Sequence, residues 1–340
     1  MPFSDLVSPQ WSAAFVAAAI ATAKVFAVGM AGFYVVRRGW IGAEGLGAIS
    51  ALVANLTLPC LIFYRFAAQF DPQEFPHWWH WALMGTALQV AATGLGSLVA
   101  RRHKNPETTL LIGYQNAGFF VLPMLQALLP PEQFGRAALM LFVFVIFFNA
   151  SLWPVGHWVL HHQRRIDARA ILFSPPTFVT LIALVVYGPF HDVAHRFDAS
   201  VPAQILLGGG ANGSPGALQL VGDLTVPLAT LVLGGAIART VAGGVSNVAG
   251  KRFSLEIAFW KLIFLPLCGW LLLRFWPNPL FETDRVLRLF LMLEFAAPPA
   301  INIAVFCQQH NYPMRLIPTT SLLCYALSIA TVPFWVALIL

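Results

Sequence analysis

Asn55-Leu56-Thr57-Leu58-Pro59 and Asp223-Leu224-Thr225-Val226-Pro227 repeat one pattern inside two separate long apolar runs. Each sets a polar side chain and a proline where an uninterrupted membrane helix should have neither. Interrupted apolar segments at matching places in two halves of a chain mark secondary transporters, whose substrate sites form where helices break.

The composition agrees with a lipid-embedded chain. Of 340 residues, 58% are hydrophobic and 10% charged, with a mean hydropathy of +0.73. A soluble domain carries about 25% charged residues. Ten apolar stretches are long enough to span a bilayer. They lie near Ala13–Val36, Leu46–Phe66, Trp78–Ala100, Thr108–Leu129, Ala137–Leu160, Ile171–Phe190, Leu218–Ala238, Leu255–Phe275, Val286–Cys307 and Pro318–Leu340. No basic leader with a small-residue cleavage site precedes the first, which is expected to be a retained span.

The net charge of +6 reflects basic blocks between apolar runs, not a clustered nucleic-acid patch. Arg37-Arg38, Arg101-Arg102-His103-Lys104, Arg164-Arg165 with Arg169, Arg239 with Lys251-Arg252, and Arg315 follow the odd-numbered spans. The positive-inside rule assigns those connections to the cytoplasm, so both termini are expected outside it. The expected location is a bacterial-type inner membrane. His161-His162, beside the arginines, fits a solvated cytoplasmic face. Trp78, Trp79, Trp81, Trp153, Trp158 and Trp335 cluster at span ends, as an interfacial aromatic belt would.

The fold expected from these features is an all-α membrane protein of two inverted five-helix repeats. Residues 1–190 carry the first repeat plus span six, 191–216 form an extracytoplasmic connection, and 217–340 carry spans seven to ten. The connection reads as a flexible linker, with a short interfacial helix around Val201–Leu207. Its Gly208-Gly209-Gly210 run lacks the Lys-Ser/Thr ending and flanking strand of a phosphate loop. The pentads fall in the second span of each repeat. Gln115-Asn116-Ala117-Gly118-Phe119-Phe120-Val121-Leu122-Pro123 and Glu294-Phe295-Ala296-Ala297-Pro298-Pro299-Ala300-Ile301-Asn302 fall in the fourth. Five spans are odd in number, so the second repeat enters from the opposite side.

Pro123 and the Pro298-Pro299 pair are expected to mark unwound segments, eased by Gly118. Freed backbone groups in lipid must find partners, so such segments belong against protein or a wet cavity. Two crossing breaks aim two half-helix N-termini at one point, which favours an anion. Asn55, Gln115, Asn116, Gly118, Pro123, Pro298 and Asn302 are the candidate substrate-binding residues. The plainer alternative has proline kinking the helices and asparagine joining neighbours.

Lys24, Lys261, Asp223 and Glu294 lie within or at the start of spans, where a charge costs about 2.5–3.5 kcal/mol or more. Asp223 or Glu294 is a candidate proton carrier. Lys24 or Lys261 either neutralises a substrate carboxylate or pairs with one of those acids. Snorkelling competes for Lys261, and a helix N-cap competes for Asp223. Cys60, Cys268, Cys307 and Cys324 lie in apolar runs and read as packing residues. No metal-ligand spacing, cofactor motif or hydrolase signature is present, so no enzyme is expected.

Taken in order over the ten spans, several motifs resemble the auxin efflux carrier family, within the bile-acid/arsenite transporter superfamily. They begin at Gly32-Phe33-Tyr34-Val35-Val36-Arg37-Arg38-Gly39, Leu58-Pro59-Cys60-Leu61-Ile62-Phe63, and Asn116-Ala117-Gly118-Phe119 with Pro123. They continue through Ser174-Pro175-Pro176, Val226-Pro227-Leu228-Ala229, Lys261-Leu262 with Leu265-Pro266, Pro298-Pro299-Ala300 with Asn302, and Thr331-Val332-Pro333. The resemblance implies a scaffold of spans one, two, six and seven. It also implies a transport domain of spans three to five and eight to ten. Helices four and nine would cross at their prolines, with Asn55 and Asp223 facing them. It implies a carrier of small carboxylates, similar to bacterial malonate or malate carriers or to plant auxin exporters, working by an elevator movement. The long cytoplasmic loop of plant members is absent after span five. Glu294 departs from the pattern, and leaves H+, Na+ or no coupling ion open. The rival functions are a sodium-coupled carrier of bile-acid-like amphipaths and a membrane sensor that binds without transporting. Lipid and a small carboxylate are the expected partners. A homodimer is compatible with the apolar surfaces, and no nucleic acid is expected.

Overall fold

The structure, a computed structural model, describes residues 9–161, 174–190, 192–194, 200–209, 214–242, 248–276, 284–309, 312 and 314–340. The described residues are almost wholly helical, and the described parts of the ten apolar stretches lie mainly on helices or broken pairs of helices. The first three stretches give α1 (Pro9–Arg37), α2 (Ala43–Leu52) with α3 (Leu58–Gln69), and α4 (Trp79–His103). The next give α5 (Glu107–Gly113) with α6 (Leu122–Leu128), α7 (Pro131–His161) and α8 (Pro175–Tyr187). After α9 (Val201–Leu207) come α10 (Ala217–Gly222) with α11 (Thr225–Ala242), and α12 (Val248–Phe259) with α13 (Leu265–Phe275). The chain ends with α14 (Arg285–Ala296), α15 (Asn302–Gln309) and α16 (Ile317–Ala337).

Six of the described helical spans are long and apolar enough to cross a bilayer: Trp11–Arg37, Ala43–Gln69, Trp79–His103, Ala217–Ala242, Arg252–Phe275 and Ile317–Ala337. Ala117–Leu128 and Pro175–Tyr187 are shorter apolar helices. The outward faces carry large apolar side chains such as Ile20, Leu83, Val90, Leu98 and Val185. Lipid is the solvent that suits them.

Proline dictates the local shape of three spans. Leu58-Pro59, Leu122-Pro123 and Leu265-Pro266 are each preceded by a five-residue π-turn: Val53–Thr57, Ala117–Val121 and Trp260–Phe264. A proline ring collides with the carbonyl four residues back and offers it no N–H. The chain responds by widening the preceding turn. The leucine before each proline then bonds the carbonyl five residues back, on Val53, Ala117 and Trp260 respectively. Pro154 and Pro333 lie instead inside continuous helices α7 and α16.

The connection differs from a purely flexible linker in its described part. Val201–Leu207 is helical as expected, capped by Ser200, whose hydroxyl accepts from the Ala203 N–H. Gly208–Gly209 then pairs antiparallel with Ser214–Pro215, a small departure from an all-α chain. Gly208 has φ +87°, a conformation open to glycine. The rest of this glycine run, and the Arg164-Arg165 and Arg169 block, lie outside the described residues.

Two large clusters make up most of the described buried interior, beside a small third one of Ala258, Leu262 and Cys324. One gathers Phe66, Phe120, Phe144, Phe290 and Trp335, with Phe144 and Phe290 edge to face. The other lies under α5 and α15 and contains Leu110, Tyr114, Ile303 and Phe306. α1 and α11 pack at backbone distance, because a Cβ on Gly234 would overlap the Gly29 carbonyl. Small residues allow such approach between membrane helices. Gly234→Leu is therefore expected to cost about 1–3 kcal/mol, read as a lower melting temperature of the detergent-purified chain. Gly118→Ala, where a Cβ meets nothing within 4 Å, should stay within about 0.5 kcal/mol of the parent.

Candidate functional site

The two expected breaks meet. α5 stops at Gly113, and Tyr114 turns extended (φ −111°, ψ 115°). α14 stops at Ala296, and Ala297 turns extended (φ −65°, ψ 139°). The unwound strands run antiparallel and bridge Gln115 to Pro299. The Asn116 N–H donates to the Pro298 carbonyl at 2.9 Å, and the Ala300 N–H to the Tyr114 carbonyl at 3.0 Å. Backbone groups released by breaking two helices thus satisfy each other, as a water-poor interior requires.

Side chains complete the crossing. Asn116 Oδ1 accepts from the Phe119 N–H at 3.1 Å and so caps the helix that follows. Asn116 Nδ2 donates to the Tyr325 hydroxyl at 2.6 Å, which donates to the Pro299 carbonyl at 2.8 Å. Tyr325, on α16, therefore ties both breaks together. Beneath them, the buried Lys261 Nζ donates to the Ile112 carbonyl at 2.9 Å. Glu294, also buried, faces Gln115 and Lys261. Gln115 stands beside the Glu294 carboxylate, but neither Glu294 oxygen nor Gln115 Nε2 makes a hydrogen bond of good geometry. Asn302 opens α15 and is half-buried. Gly118 borders open space, and Pro123 is buried at the second position of α6.

Of the sequence candidates, Gln115, Asn116, Pro298, Glu294 and Lys261 are brought together. Lys24, Asn55 and Asp223 are exposed. None of the three has a hydrogen bond or ion pair to the crossing among the described contacts. Asn55 lies in the π-turn of its span, which packs on α10 and α11. Asp223 ends α10 instead of starting the seventh span. Snorkelling does not describe Lys261, which is 1% exposed and bonded inward. The described ion pairs are His103–Glu256 and Arg136–Asp284, so none of the four span charges is in one. Trp335 and Trp81 are buried and not in an interfacial belt. The Trp335 Nε1–H donates at 2.9 Å to the Leu262 carbonyl, the group that Pro266 leaves without a helical donor.

Two residues escaped sequence reasoning. Tyr325 is one of several hydroxyl residues in its span, with Thr319, Thr320, Ser321, Ser328 and Thr331, and nothing local singles it out. Glu107 sits at a span end, yet is 2% exposed. Its carboxylate accepts N–H bonds from Arg315 (3.0 Å), Leu316 (2.7 Å) and Ile317 (3.0 Å), closing the start of α16. Nothing local to Glu107 announces partners so far along the chain.

The sequence profile of the membrane transport protein family matches residues 17–169 and 159–336. The chain belongs to this family, that of the auxin efflux carriers. Three Arabidopsis thaliana proteins share parts of it. Protein PIN-LIKES 7 is 27% identical over 139 residues, covering 40% of this chain and 32% of its own length. Protein PIN-LIKES 4 is 24% identical over 190 residues, 53% and 44%. Protein PIN-LIKES 3 is 25% identical over 165 residues, 47% and 38%. The matches thus span less than half the length of these relatives.

Tyr325→Phe leaves the Pro299 carbonyl and the Asn116 amide short of one partner. It is expected to cost about 1–3 kcal/mol, measured as a fall in melting temperature. Glu107→Ala strips three donors at the start of α16 of their acceptor and should lower stability at least as much. A parent-like melting curve for Glu107→Ala would show that water replaces the carboxylate there.

Proposed function

We propose that this chain is a secondary carrier of small organic anions, carboxylates such as malonate, malate or auxin-like acids. The observation that carries the reading is the antiparallel pairing of two helix breaks, Gln115 against Pro299. Each break ends one half-helix and begins another, at Ala117 and at Asn302. Helix starts carry partial positive charge and spare N–H donors, which suit a carboxylate. Open space beside Gly118 gives it room. Asn116 retains a second amide hydrogen beyond the one given to Tyr325, and Asn302 stands at the opposite helix start.

The matching breaks in spans four and nine, and the matching pentads in spans two and seven, support ten spans in two inverted repeats. Helix packing supports the division into scaffold and transport domains. α1 packs along α11, and α3 along α8 and α10. α4 packs on α5 and α7, and α14 on α13 and α16. An elevator movement would slide the second group past the first, along the contacts α1 makes with α16 and α6. The family supports transport over enzyme chemistry or sensing.

The test is thermal stabilisation of the detergent-purified chain by malonate, each variant compared with its own ligand-free melting temperature. A ligand of the native state raises that temperature by mass action. The parent should be stabilised, and Asn116→Ala and Asn302→Ala should lose the shift while still eluting as folded protein. An undiminished shift in both variants contradicts the site.

A further inference from the structure

Beside their glycine contact, α1 and α11 leave a groove of about 310 Å³ with a wholly apolar lining that includes Phe26, Met30, Phe33, Leu233 and Ile237. Met30 is 57% exposed, so the groove opens on the outer surface of the pair. A cavity lined this way excludes water and admits apolar matter. Basic side chains stand at its end. Arg37 lies one turn past Phe33, with Arg38 next to it, and Arg239 lies two residues past Ile237; all three are exposed. A Cβ on Gly235, one turn before Arg239, would meet Val36 and Leu46, so α11 ends against the turn between α1 and α2. In that turn the Arg38 guanidinium lies over the Tyr34 ring at 5.1 Å, and Tyr34 meets Trp40 edge to face at 5.9 Å. Gly39, with φ +74°, makes the turn, and Trp40 is left 72% exposed. None of the three arginines is in a described ion pair. Glu44, in the first turn of α2, is exposed and is one acid against three arginines.

We infer that the cleft between α1 and α11 binds one anionic phospholipid, its phosphate held by Arg37, Arg38 and Arg239 and one acyl chain laid in the groove. The order of groups along the helices is that of the ligand: guanidinium charge, then exposed Trp40 and Tyr34 at headgroup level, then an apolar channel. Arginine pairs with phosphate through two parallel N–H donors. The positive-inside rule assigns this end of the pair to the cytoplasmic leaflet, where anionic lipids are found. Basic span ends alone serve only to orient a membrane chain. What sets this end apart is a groove that begins within one turn of three arginines on two helices. A small carboxylate would suit the arginines and leave the groove empty, whereas a phospholipid fills both. A chain seated there packs on Phe26, which also touches Phe120 in the turn that follows the crossing. The inference needs the chain to lie in a bilayer and does not depend on which substrate it carries.

The experiment leaves carboxylates out, so a failure of malonate binding does not bear on it. The full chain, purified in detergent, is melted in mixed micelles with dioleoyl phosphatidylglycerol or with dioleoyl phosphatidylcholine, whose acyl chains are the same, and separately with glycerol phosphate. Phosphatidylglycerol should raise the parent's melting temperature by several degrees more than phosphatidylcholine, by mass action, and glycerol phosphate should leave it unchanged. Each arginine is worth roughly fivefold in lipid affinity, so Arg37→Gln, Arg38→Gln and Arg239→Gln together should erase the difference between the two lipids. Ile237→Trp, which fills the groove and leaves the arginines in place, should also erase it. Arg101→Gln with Arg102→Gln, an exposed basic pair on α4, which does not line the groove, should keep it. Equal stabilisation of the parent by the two lipids overturns the proposal. So does equal stabilisation by glycerol phosphate, which would assign the arginines to free phosphate. A full difference in the triple arginine variant or in Ile237→Trp, or its loss in the α4 variant, overturns it as well. If the triple variant cannot be purified, the parent and the α4 variant decide.

Discussion

Proline in a membrane helix frees a carbonyl that no water reaches, and the architecture of this chain is organised around finding donors for such groups. In lipid each orphan costs several kcal/mol. The Trp335 indole supplies the Leu262 carbonyl, and the Tyr325 hydroxyl the Pro299 carbonyl. Lys261 supplies Ile112, and the broken strands supply each other through Asn116 and Ala300. These donors come from spans far apart in sequence. The breaks therefore cannot exist until the surrounding helices are in place, and those helices are fixed to one another through the breaks.

This arrangement bears directly on binding. The donors that hold the crossing are rigid because their own positions are set by buried aromatic packing, Phe120 against Tyr325 and Tyr114 against Phe148. A ligand arriving there meets polar groups already oriented and desolvated, and loses less to reorganisation than it would at a flexible loop. The glycine contact between α1 and α11 lies beside the crossing, since α11 packs on the π-turn Ala117–Val121 and Phe26 of α1 touches Phe120. The crossing thus has a firm wall on the side where the proposed scaffold stands.

Much of this was legible in the sequence. The described parts of the apolar stretches fall mainly on helices or broken pairs, six of them long enough to cross a bilayer, because apolar length is a local property. The break of span nine falls at Pro298-Pro299, but that of span four falls at Tyr114–Asn116, ahead of Pro123, which lies inside α6 and only widens the turn before it. Proline alone is ambiguous, however. Pro154 and Pro333 sit in continuous helices, while Leu265-Pro266 widens a turn without breaking the span. The same limit explains Lys261, Trp335 and Glu107. A polar residue in an apolar run shows that a partner is needed, but neither which face it occupies nor that its partner lies up to 210 residues away, as with Glu107 and Ile317.

The central claim is that a small carboxylate binds where the two breaks pair. Amide hydrogen exchange of the detergent-purified chain, with and without malonate, tests this most directly, because it reports where protection arises. The account predicts that malonate slows exchange in the segments 114–119 and 300–303, with the rest of the chain little changed. Binding that protects other segments and leaves both breaks untouched would contradict it.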